Sequence, residues 1–399
     1  MPGVEELLTL EQAQALVLER AQPLAAEPVP LEHAAGRVLA ETATALVDLP
    51  PFPSSAMDGY ALRSADTPGT LPVAARIAAG SPAGRPLEAG EAMGISTGGV
   101  VPDGADAVIQ HEVVVENDNA ITISERVAPG ANIRPVGRDV VAGGAVVPAG
   151  TRLGAAQIGA LAAAGVAEVT CVRRPRVAVL TTGSELRAPG TPLEPGEVYE
   201  ANGVMLAAQL EAEGAVVTRL AAVADDEAEH RGAIEQGLEH DVLVTSGGVS
   251  VGPHDLVRRV EAELGVEELF WRVAVRPGKP VSFGVRGPTL VFGLPGNPVS
   301  SLVGCELFVR PALRALQGAA DPGPLFAVGR LAVPVARNAG RDDLMRARST
   351  VTDDGVLLEP VGGQESHMIV RAAEADAIVL VPRGEGELAA GATVRYLAL

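Results

Sequence analysis

The spacing of apolar residues along the chain changes several times, and each change predicts a different kind of structure. After Thr9, Ala and Leu recur at helical spacing as far as Ala21, and the run Thr9-Leu10-Glu11-Gln12 resembles a capping box. From about residue 45 to 148, short Val and Ile runs such as Ala107–Gln110 and Ala120–Ile123 alternate with Pro and Gly. The first pattern predicts an N-terminal helix, and the second predicts a β-rich domain.

A second Ala-rich stretch, over residues 151–165, predicts another helix. We expect this helix to pack near the first one. On this interpretation residues 1–44 and 149–174 form one discontinuous, helical and elongated linker domain, and the β-rich domain of residues 45–148 is inserted into it.

Residues 175–320 alternate apolar strands with helices, which is typical of a doubly wound α/β domain. The strands are expected at about 177–180, 215–223 and 241–245, and the helices at about 202–213 and 227–239. Short continuous apolar runs of this kind form parallel sheets that are covered on both faces. Residues 321–399 return to short β-type runs between Pro and Gly, and they predict a C-terminal β-barrel.

Composition and charge exclude several classes of protein. Of 399 residues 47% are hydrophobic and 20% charged, which excludes a disordered chain. The net charge of −19 argues against nucleic-acid binding, which needs a basic surface. No apolar run reaches the roughly 18–20 residues of a membrane helix. The two cysteines, Cys171 and Cys305, lie far apart and favour a reducing, cytoplasmic location.

Three Gly-rich loops follow predicted strands of the α/β domain, where such sheets bind ligands. Glycine lets backbone N–H groups converge on an anion, and Ser or Thr hydroxyls add donors. Each loop alone is also common as a plain turn, but the three together indicate a phosphate site. Their candidate binding residues are Thr182, Gly183 and Ser184, then Ser246, Gly247, Gly248 and Ser250, and finally Pro295, Gly296, Asn297 and Pro298.

Acidic residues recur at the same expected edge of the sheet. Carboxylates next to phosphates favour a bridging cation, and Mg²⁺ uses one or two carboxylates together with phosphate oxygens. We therefore predict Glu185, Asp225 and Asp255 as metal ligands. Asp226 is better explained as a helix N-cap, a position that favours Asp for backbone reasons alone.

A cluster of cations lies between residues 271 and 280. Arg272, Arg276 and Lys279 are expected around one turn, where three positive charges form a site for an oxyanion. A solvated basic strand end is the alternative. Lys279 is the single lysine among 31 basic residues. This indicates that the wider guanidinium group of Arg cannot replace the ammonium group at this position. A genome that favours Arg would also explain the single lysine.

Three further segments are ambiguous from the residues alone. They are the Pro-rich run 50–60 and the Gly turns 96–99 and 132–139, each of which suits a rigid binding loop or a plain domain junction.

Taken together, five stretches resemble the molybdopterin molybdenumtransferase family, which includes bacterial MoeA-type enzymes and the C-terminal part of gephyrin. The resemblance runs from about Thr9 to the C terminus, and the matching stretches are residues 53–61, 182–186, 246–255, 277–280 and 293–298. It implies an elongated homodimer with four domains per subunit. It also implies an active site where the α/β domain faces the β-rich insertion of the other subunit.

The resemblance further implies a reaction in which molybdate is inserted into adenylylated molybdopterin, with release of AMP and with Mg²⁺ as cofactor. It assigns functional roles in the insertion to Asp58, Thr97, Arg134 and Asp139, acidic roles to Glu185, Asp225 and Asp255, and cleft positions to Lys279, Pro295, Pro298 and Ser366. The chain departs from the family at Arg272 and Arg276, where other members often carry Lys.

Two other functions remain open beside this one. The first is molybdopterin adenylylation, which relatives of the α/β domain catalyse without the insertion or the barrel. The second is a gephyrin-like scaffold, although no long linker or second catalytic domain is present. Expected partners are adenylylated molybdopterin, molybdate and a second subunit, with the upstream adenylyltransferase and downstream molybdoenzymes as further candidates, and neither nucleic acid nor a membrane.

Overall fold

The computed structural model of the chain describes residues 7–223, 226–248 and 256–399. These residues divide into two compact units. The first contains the described residues within Met1–Glu27, Gly36–Ala40 and Val172–Leu399, and the second contains Pro28–Ala35 and Glu41–Cys171. The division into four domains is finer than this and stays a prediction.

The second unit is β-rich, as the Val and Ile runs predicted. Its central sheet has the strand order Ala107–Gln110, Gly59–Leu62, Ala92–Ile95, Gly69–Ile77, Ala120–Ile123 and Val115–Asn117. Short antiparallel pairs join Ser54–Ser55 to Ile133–Arg134 and Ala43–Thr44 to Ala145–Val147. The predicted helix of residues 151–165 is present as Ala155–Ala163.

The first unit begins with the predicted N-terminal helix, Leu10–Arg20. The Thr9 hydroxyl accepts a hydrogen bond from Gln12 N at 3.2 Å, and Thr9 N donates to Gln12 Oε1 at 2.9 Å. This reciprocal pair is the predicted capping box, and it satisfies backbone donors that the first turn of a helix leaves free. The helix buries Leu10, Ala13 and Val17 in the core.

The α/β domain has a mixed sheet in which four strands run parallel. In spatial order its strands are Val216–Arg219, Arg176–Thr181, Val242–Ser246, Thr289–Leu294, Ser282–Arg286 and Glu267–Trp271. At one edge, Ser282–Arg286 pairs antiparallel with both of its neighbours. We expected a parallel sheet, and the observed sheet is mixed. The sheet core includes Phe283 and Phe292, whose rings lie 4.9 Å apart.

Helices accompany these strands, and the first two follow the predicted positions closely. They are Asn202–Ala212, Glu227–Gly237, Leu256–Glu263 and a continuous stretch made of Pro298–Gly304, the π-helical Cys305–Val309 and Arg310–Leu316. Among the residues that the structure describes, no helix is long and apolar enough to cross a membrane.

The C-terminal part forms the predicted barrel, and five strands close it. Their order is Asp342–Thr352, Gly355–Pro360, Ala327–Leu331, Thr393–Ala398 and Ala377–Val381, and the last strand pairs again with the first. A short strand, Val275–Arg276, leaves the α/β domain and pairs parallel with the first barrel strand. This pairing sets Arg276 beside Asp343.

The remaining elements are short, and the six strands among them form three two-stranded sheets. They are the strands Ala26–Pro30, Glu168–Val172, Leu186–Arg187, Val198–Tyr199, Val335–Ala336 and Glu387–Leu388, the 3₁₀ turns Leu31–His33, Ser64–Asp66 and His111–Val113, and the helix Ile369–Ala372.

Candidate functional site

The three Gly-rich loops meet at one edge of the sheet, because they follow three neighbouring parallel strands. Thr182 N donates a hydrogen bond to the carbonyl of Ser246 at 3.1 Å, and Gly247 N donates to the carbonyl of Leu294 at 3.1 Å. Backbone hydrogen bonds thus continue past the strand ends and hold the start of each loop against the next. The structure confirms that the sequence motifs converge.

Gly247 shows why glycine is needed at this edge. Its φ is +100°, and a Cβ there would lie 2.7 Å from both the carbonyl oxygen and Oγ1 of Thr182. Gly248 also has a positive φ, +67°. A larger residue at position 247 would combine left-handed strain with a backbone clash, so the close approach of two loops depends on this glycine.

The Ser246 hydroxyl ties two of the loops together. It donates to the carbonyl of Pro295 at 3.2 Å and lies 2.9 Å from the Ser301 hydroxyl. The Asn202 side-chain amide donates to Ser246 Oγ at 3.0 Å and to the carbonyl of Gly296 at 2.7 Å. Asn202 and Ser301 were missed by sequence reasoning, and their only signal was a position at the start of a helix beside a Gly-rich loop.

The acidic side of the site is only partly within the described residues. Asp225, Ser250 and Asp255 lie outside them, so their predicted roles stay predictions. Glu185 and Ser184 are exposed on the same loop as Gly183. Among the described residues no group of three or more His, Cys, Asp or Glu side chains is placed to hold a metal ion.

Asp226 is a helix N-cap, as predicted. Its side chain accepts hydrogen bonds from the backbone N–H groups of Ala228 and Glu229, both at 3.0 Å. The Asp226 carboxylate therefore stabilises the start of the Glu227–Gly237 helix.

Next to the loops, a cavity of about 670 Å³ opens between the α/β domain and the barrel. Its wall includes two of the three predicted cations and the third Gly-rich loop. The polar and charged residues that line it are Arg276, Lys279, Asn297, Ser300, Arg341, Asp343, Gln364, Glu365, Ser366 and His367.

Arg276 and Lys279 both line this cavity, but they differ in whether a carboxylate neutralises their charge. Arg276 Nη2 donates to Oδ2 of Asp343, so the guanidinium already has a counterion. For Lys279 no ion pair is found among residues 7–223, 226–248 and 256–399. Arg341 also lines the cavity and has no ion pair among these residues, so Lys279 and Arg341 are the cations of this wall that remain available to an anionic ligand.

Arg272 does not line the cavity, although the turn that we predicted is present. Val273 N donates to the carbonyl of Lys279 at 3.0 Å and closes the turn. Arg272 has a φ of +77°, and its guanidinium carbon lies 3.7 Å from the centre of the Trp271 ring. The expectation of three cations around one ligand is therefore reduced to two, and Arg272 makes a cation–π contact instead.

The loop that carries Ser366 is held by Arg346, which is fully buried. Arg346 Nη1 donates to the carbonyl of Met368 at 3.0 Å, and Nη2 donates to the carbonyl of Gly363 at 2.8 Å. Burial lowers the pKa of this guanidinium from its ordinary value. Asn297 Nδ2 then donates to Ser366 Oγ at 2.9 Å and joins this loop to the third Gly-rich loop.

Arg346 and Asp343 are functional candidates that sequence reasoning missed. A signal was present, since both charged residues occur in a run that the structure shows to be a buried barrel strand. Charged side chains on such a strand need buried partners, and the partners lie far away in sequence.

In the β-rich unit, the structure brings the ambiguous segments together. Asp58 Oδ1 accepts a hydrogen bond from Thr97 N at 2.8 Å. Arg134 pairs with Ser54 in an antiparallel register, and Gly98 N donates to the carbonyl of Ser55 at 2.9 Å. Asp58, Thr97 and Arg134 are all exposed. They form a single polar surface of this unit.

Asp139 lies on the same unit but is fixed to a different part of the Pro-rich run. Its N–H donates to the carbonyl of Leu49 at 2.9 Å, at the start of that run. Asp139 itself is exposed.

A smaller cavity of about 260 Å³ next to Asp58 contains Tyr60, Arg76, His111 and Glu116. Burial and the neighbouring Glu116 raise the pKa of the Tyr60 hydroxyl.

Comparison with known protein families agrees with this architecture over nearly the whole chain. Residues 8–165 match the model described as MoeA N-terminal region (domain I and II). Residues 178–315 match a probable molybdopterin binding domain, and residues 328–399 match the MoeA C-terminal region (domain IV). The chain belongs to the MoeA family.

Curated relatives in this family are similar over their full length. A molybdopterin molybdenumtransferase of Haemophilus influenzae is 37% identical over 397 residues, which is 97% of this chain and 98% of the relative. Molybdopterin molybdenumtransferase 2 of Mycobacterium tuberculosis is 37% identical over 400 residues, with 96% and 97% covered.

Solved structures of MoeA proteins have the same fold. A molybdopterin biosynthesis MoeA protein from Pyrococcus horikoshii matches with a TM-score of 0.80 and 33% identity, covering 98% of this chain and 99% of the other. A second MoeA structure from that organism matches with a TM-score of 0.85 and 28% identity, covering 99% and 100%. The family expected from the motifs is thereby confirmed.

Proposed function

We propose that this MoeA-family protein is a molybdopterin molybdenumtransferase, acting in the synthesis of molybdenum cofactor. It takes adenylylated molybdopterin and molybdate, inserts the metal at the dithiolene and releases AMP. The observation that carries the proposal is that a site suited to phosphates and a site suited to an oxyanion lie next to each other. A Gly-rich edge suited to phosphates adjoins a cavity whose wall contains the cations Lys279 and Arg341.

The Gly-rich edge is the place proposed for the phosphates of the nucleotide. Backbone N–H groups of tight glycine turns bind anions without needing a basic side chain. This matters in a chain with a net charge of −19, where an anion has few basic surfaces to approach. Thr182, with 9% of its surface exposed, adds a hydroxyl near Gly247.

The cavity is the place proposed for molybdate. Lys279 supplies a compact charge, and Asn297, Ser300 and Ser366 supply neutral polar groups. Holding the oxyanion beside the bound pterin replaces a diffusional encounter with a local one, and this accounts for much of the rate that the enzyme has to provide.

Mg²⁺ is the cofactor proposed for the phosphate side. Among the residues that the structure describes, Glu185 has an exposed side chain in the first Gly-rich loop. Its carboxylate fits the one or two carboxylates that Mg²⁺ uses beside phosphate oxygens. Asp225 and Asp255 are the other proposed ligands. When bound, the ion would neutralise charge on the phosphoanhydride, while the protein groups orient the two substrates.

A homodimer is proposed as the active form, with Asp58, Thr97 and Arg134 of one subunit completing the site of the other. The support is the exposed polar surface that these residues share in the β-rich unit. Mixing an Asp58→Ala variant with a Lys279→Ala variant tests this idea. A dimer with shared sites restores activity to a quarter to a half of wild type, whereas independent sites stay inactive.

The decisive experiment incubates the protein with adenylylated molybdopterin, Mg²⁺ and either molybdate or tungstate. The expected result is AMP release that depends on the oxyanion, together with a cofactor that activates a molybdenum-free molybdoenzyme. AMP release that is indifferent to the oxyanion would instead identify a bare hydrolase. Formation of adenylylated molybdopterin from ATP and molybdopterin would identify the adenylyltransferase.

The cytoplasm is the proposed location of this reaction. Its support is that the two cysteines, Cys171 and Cys305, are buried and that their spacing predicts neither a disulfide framework nor a metal site.

A further inference from the structure

A buried carboxylate in the wall of the oxyanion cavity is not explained by anion binding. Asp343 has 1% of its surface exposed and lies among the residues that line the cavity. A negative charge at this place repels the ligand that the cavity is proposed to hold.

The two oxygens of Asp343 have different surroundings. Oδ2 accepts the hydrogen bond from Arg276, the guanidinium of which is half exposed to the cavity, with 55% of the side chain accessible. Oδ1 is buried and has no hydrogen-bond partner in the part of the chain that the structure describes. Among the described residues, Arg276 is therefore the hydrogen-bonding partner of this carboxylate.

The cost of burial is visible in the titration of this group. Desolvation raises the pKa of the Asp343 carboxyl above its ordinary value, with a smaller contribution from Asp342 in the same direction. Arg276 and Arg341 oppose the rise but do not cancel it. The carboxyl thus takes up a proton more readily than an exposed aspartate.

An oxyanion that enters the cavity competes with Asp343 for Arg276. If the guanidinium turns to the ligand, the buried carboxylate loses its hydrogen-bonded counterion, and the charge of Arg341 compensates for this loss only in part. If the guanidinium stays between the two, the ligand and the carboxylate repel each other at short range. Protonation of Asp343 removes the penalty in both cases.

We propose that an oxyanion binds in this cavity together with one proton, which Asp343 takes up as Arg276 turns from its carboxylate to the ligand. The inference rests on the proposed function for molybdate as the natural oxyanion. Without ligand, the Arg276–Asp343 pair is neutral, so that Lys279 and Arg341 are the cations that attract anions. With ligand, Arg276 and Lys279 both act on it.

Other charged groups face Asp343 and define the competing explanation. Arg276 lies on the neighbouring strand, Asp342 lies on the same strand, Arg341 directly precedes that strand, and Lys279 lies in the turn. Glu365 and His367 come from the loop that Arg346 holds, and both are exposed. His367 is the alternative proton acceptor, because an anion beside an imidazole also favours its charged form.

The pH dependence follows from this linkage. Asp343 has a raised pKa in the free protein and a still higher one once the oxyanion has taken Arg276. Between these two pKa values the bound form holds more protons, so affinity falls as pH rises, by about tenfold per unit. Above both values the affinity is constant.

Calorimetric titration of molybdate, tungstate and phosphate in buffers of different ionisation enthalpy measures the proton directly. We expect the wild type to take up about one proton per oxyanion at a pH inside the window. Asp343→Asn should still bind the oxyanion but take up none. Asp342→Asn, a matched change of the buried neighbouring carboxylate, and His367→Asn should both keep the uptake.

Infrared difference spectra of the wild type provide a test that does not depend on the folding of a variant. Addition of molybdate should produce the C=O band of a protonated carboxyl group. Absence of that band overturns the proposal. Binding without proton uptake, uptake that persists in Asp343→Asn, or uptake lost in His367→Asn overturns it as well.

These results are separate from the test of the proposed function. Proton-coupled binding without AMP release or metal insertion would leave this inference intact, with phosphate or another oxyanion as ligand, and would remove the transferase. Metal insertion without proton uptake would support the transferase and overturn this inference.

Discussion

The two halves of the candidate site are built in different ways. At the Gly-rich edge, neighbouring strand ends are held by backbone hydrogen bonds such as Gly247 N to the Leu294 carbonyl. In the cavity, charged side chains from the turn and the barrel face each other, as Arg276 and Asp343 do. The first half depends on the absence of side chains, and the second half depends on the presence of particular ones.

This difference predicts different responses to substitution. A backbone site is damaged by added atoms and by strain, whereas a charged site is damaged by a change of charge, shape or partner. The following four predictions use substitutions that separate these responses.

The largest effect is expected for Gly247→Ala. The new Cβ would lie 2.7 Å from the carbonyl oxygen of Thr182 at a φ of +100°, so clash and strain combine. We expect a loss of about 2–4 kcal/mol in stability and loss of nucleotide binding. Thermal unfolding and nucleotide titration measure the two effects.

Gly265→Ala is the control for this prediction. Gly265 has a similar φ of +85°, but a Cβ there meets nothing within 4 Å. It should lose only about 1–2 kcal/mol and keep nucleotide binding. Equal losses of stability in the two variants would show that backbone strain, and not the close approach of the loops, is the reason for glycine at position 247.

Arg346→Met should have the next largest effect. Methionine keeps much of the volume but removes the donors to the carbonyls of Gly363 and Met368, so the Ser366 loop loses its support. We expect molybdate affinity to fall about 10–100-fold, with nucleotide binding unchanged. Separate titrations of the two ligands check this.

Arg348→Met provides the matched change on the same strand. Arg348 is exposed and pairs with Glu374, a kind of ion pair that contributes little. Its molybdate affinity should equal that of the wild type. A similar loss in both variants would contradict a specific role for Arg346.

Lys279→Arg should have a moderate effect. The substitution keeps the charge but replaces a compact ammonium by a wider planar group in a wall that already contains Arg276. We expect the KM for molybdate to rise about 3–10-fold with a smaller change in kcat.

Arg272→Lys is the comparison for Lys279, because Arg272 stacks on Trp271 outside the cavity wall. Its KM for molybdate should change less than about twofold. Unchanged kinetics in Lys279→Arg would leave genome composition as the explanation of the single lysine.

The smallest effect is expected for Asp226→Ala. Loss of the N-cap hydrogen bonds to Ala228 and Glu229 should cost about 1 kcal/mol of stability and leave turnover unchanged. Thr9→Ala, which removes the cap of the first helix, should behave alike in thermal unfolding. A large loss of turnover in Asp226→Ala would show that this residue takes part in the reaction.

Much of the fold could be predicted from the sequence because helix and strand patterns are local. The capping box at Thr9, the strand before Gly247 and the barrel strands near the C terminus were all read from short runs of residues. The antiparallel edge of the α/β sheet was not, because the order and direction of strands depend on long-range pairing.

The part of the candidate site that lies directly after strand ends could be predicted from the sequence. Ser246 and Gly247 were identified because parallel strands deliver their carboxyl ends to one edge. Asn202, Ser301 and Arg346 were missed, because their side chains bind groups in other segments of the chain, and the local sequence does not show which segments come close.

The sequence by itself determined the order of the secondary structure, the Gly-rich loops and the family to which the chain belongs. Only the tertiary structure decided how the three predicted cations are used. Arg272 stacks on Trp271, Arg276 is neutralised by Asp343, and Lys279 remains available. The physical reason is that the effect of a charge depends on its burial and its partner, and both are set by residues far away along the chain.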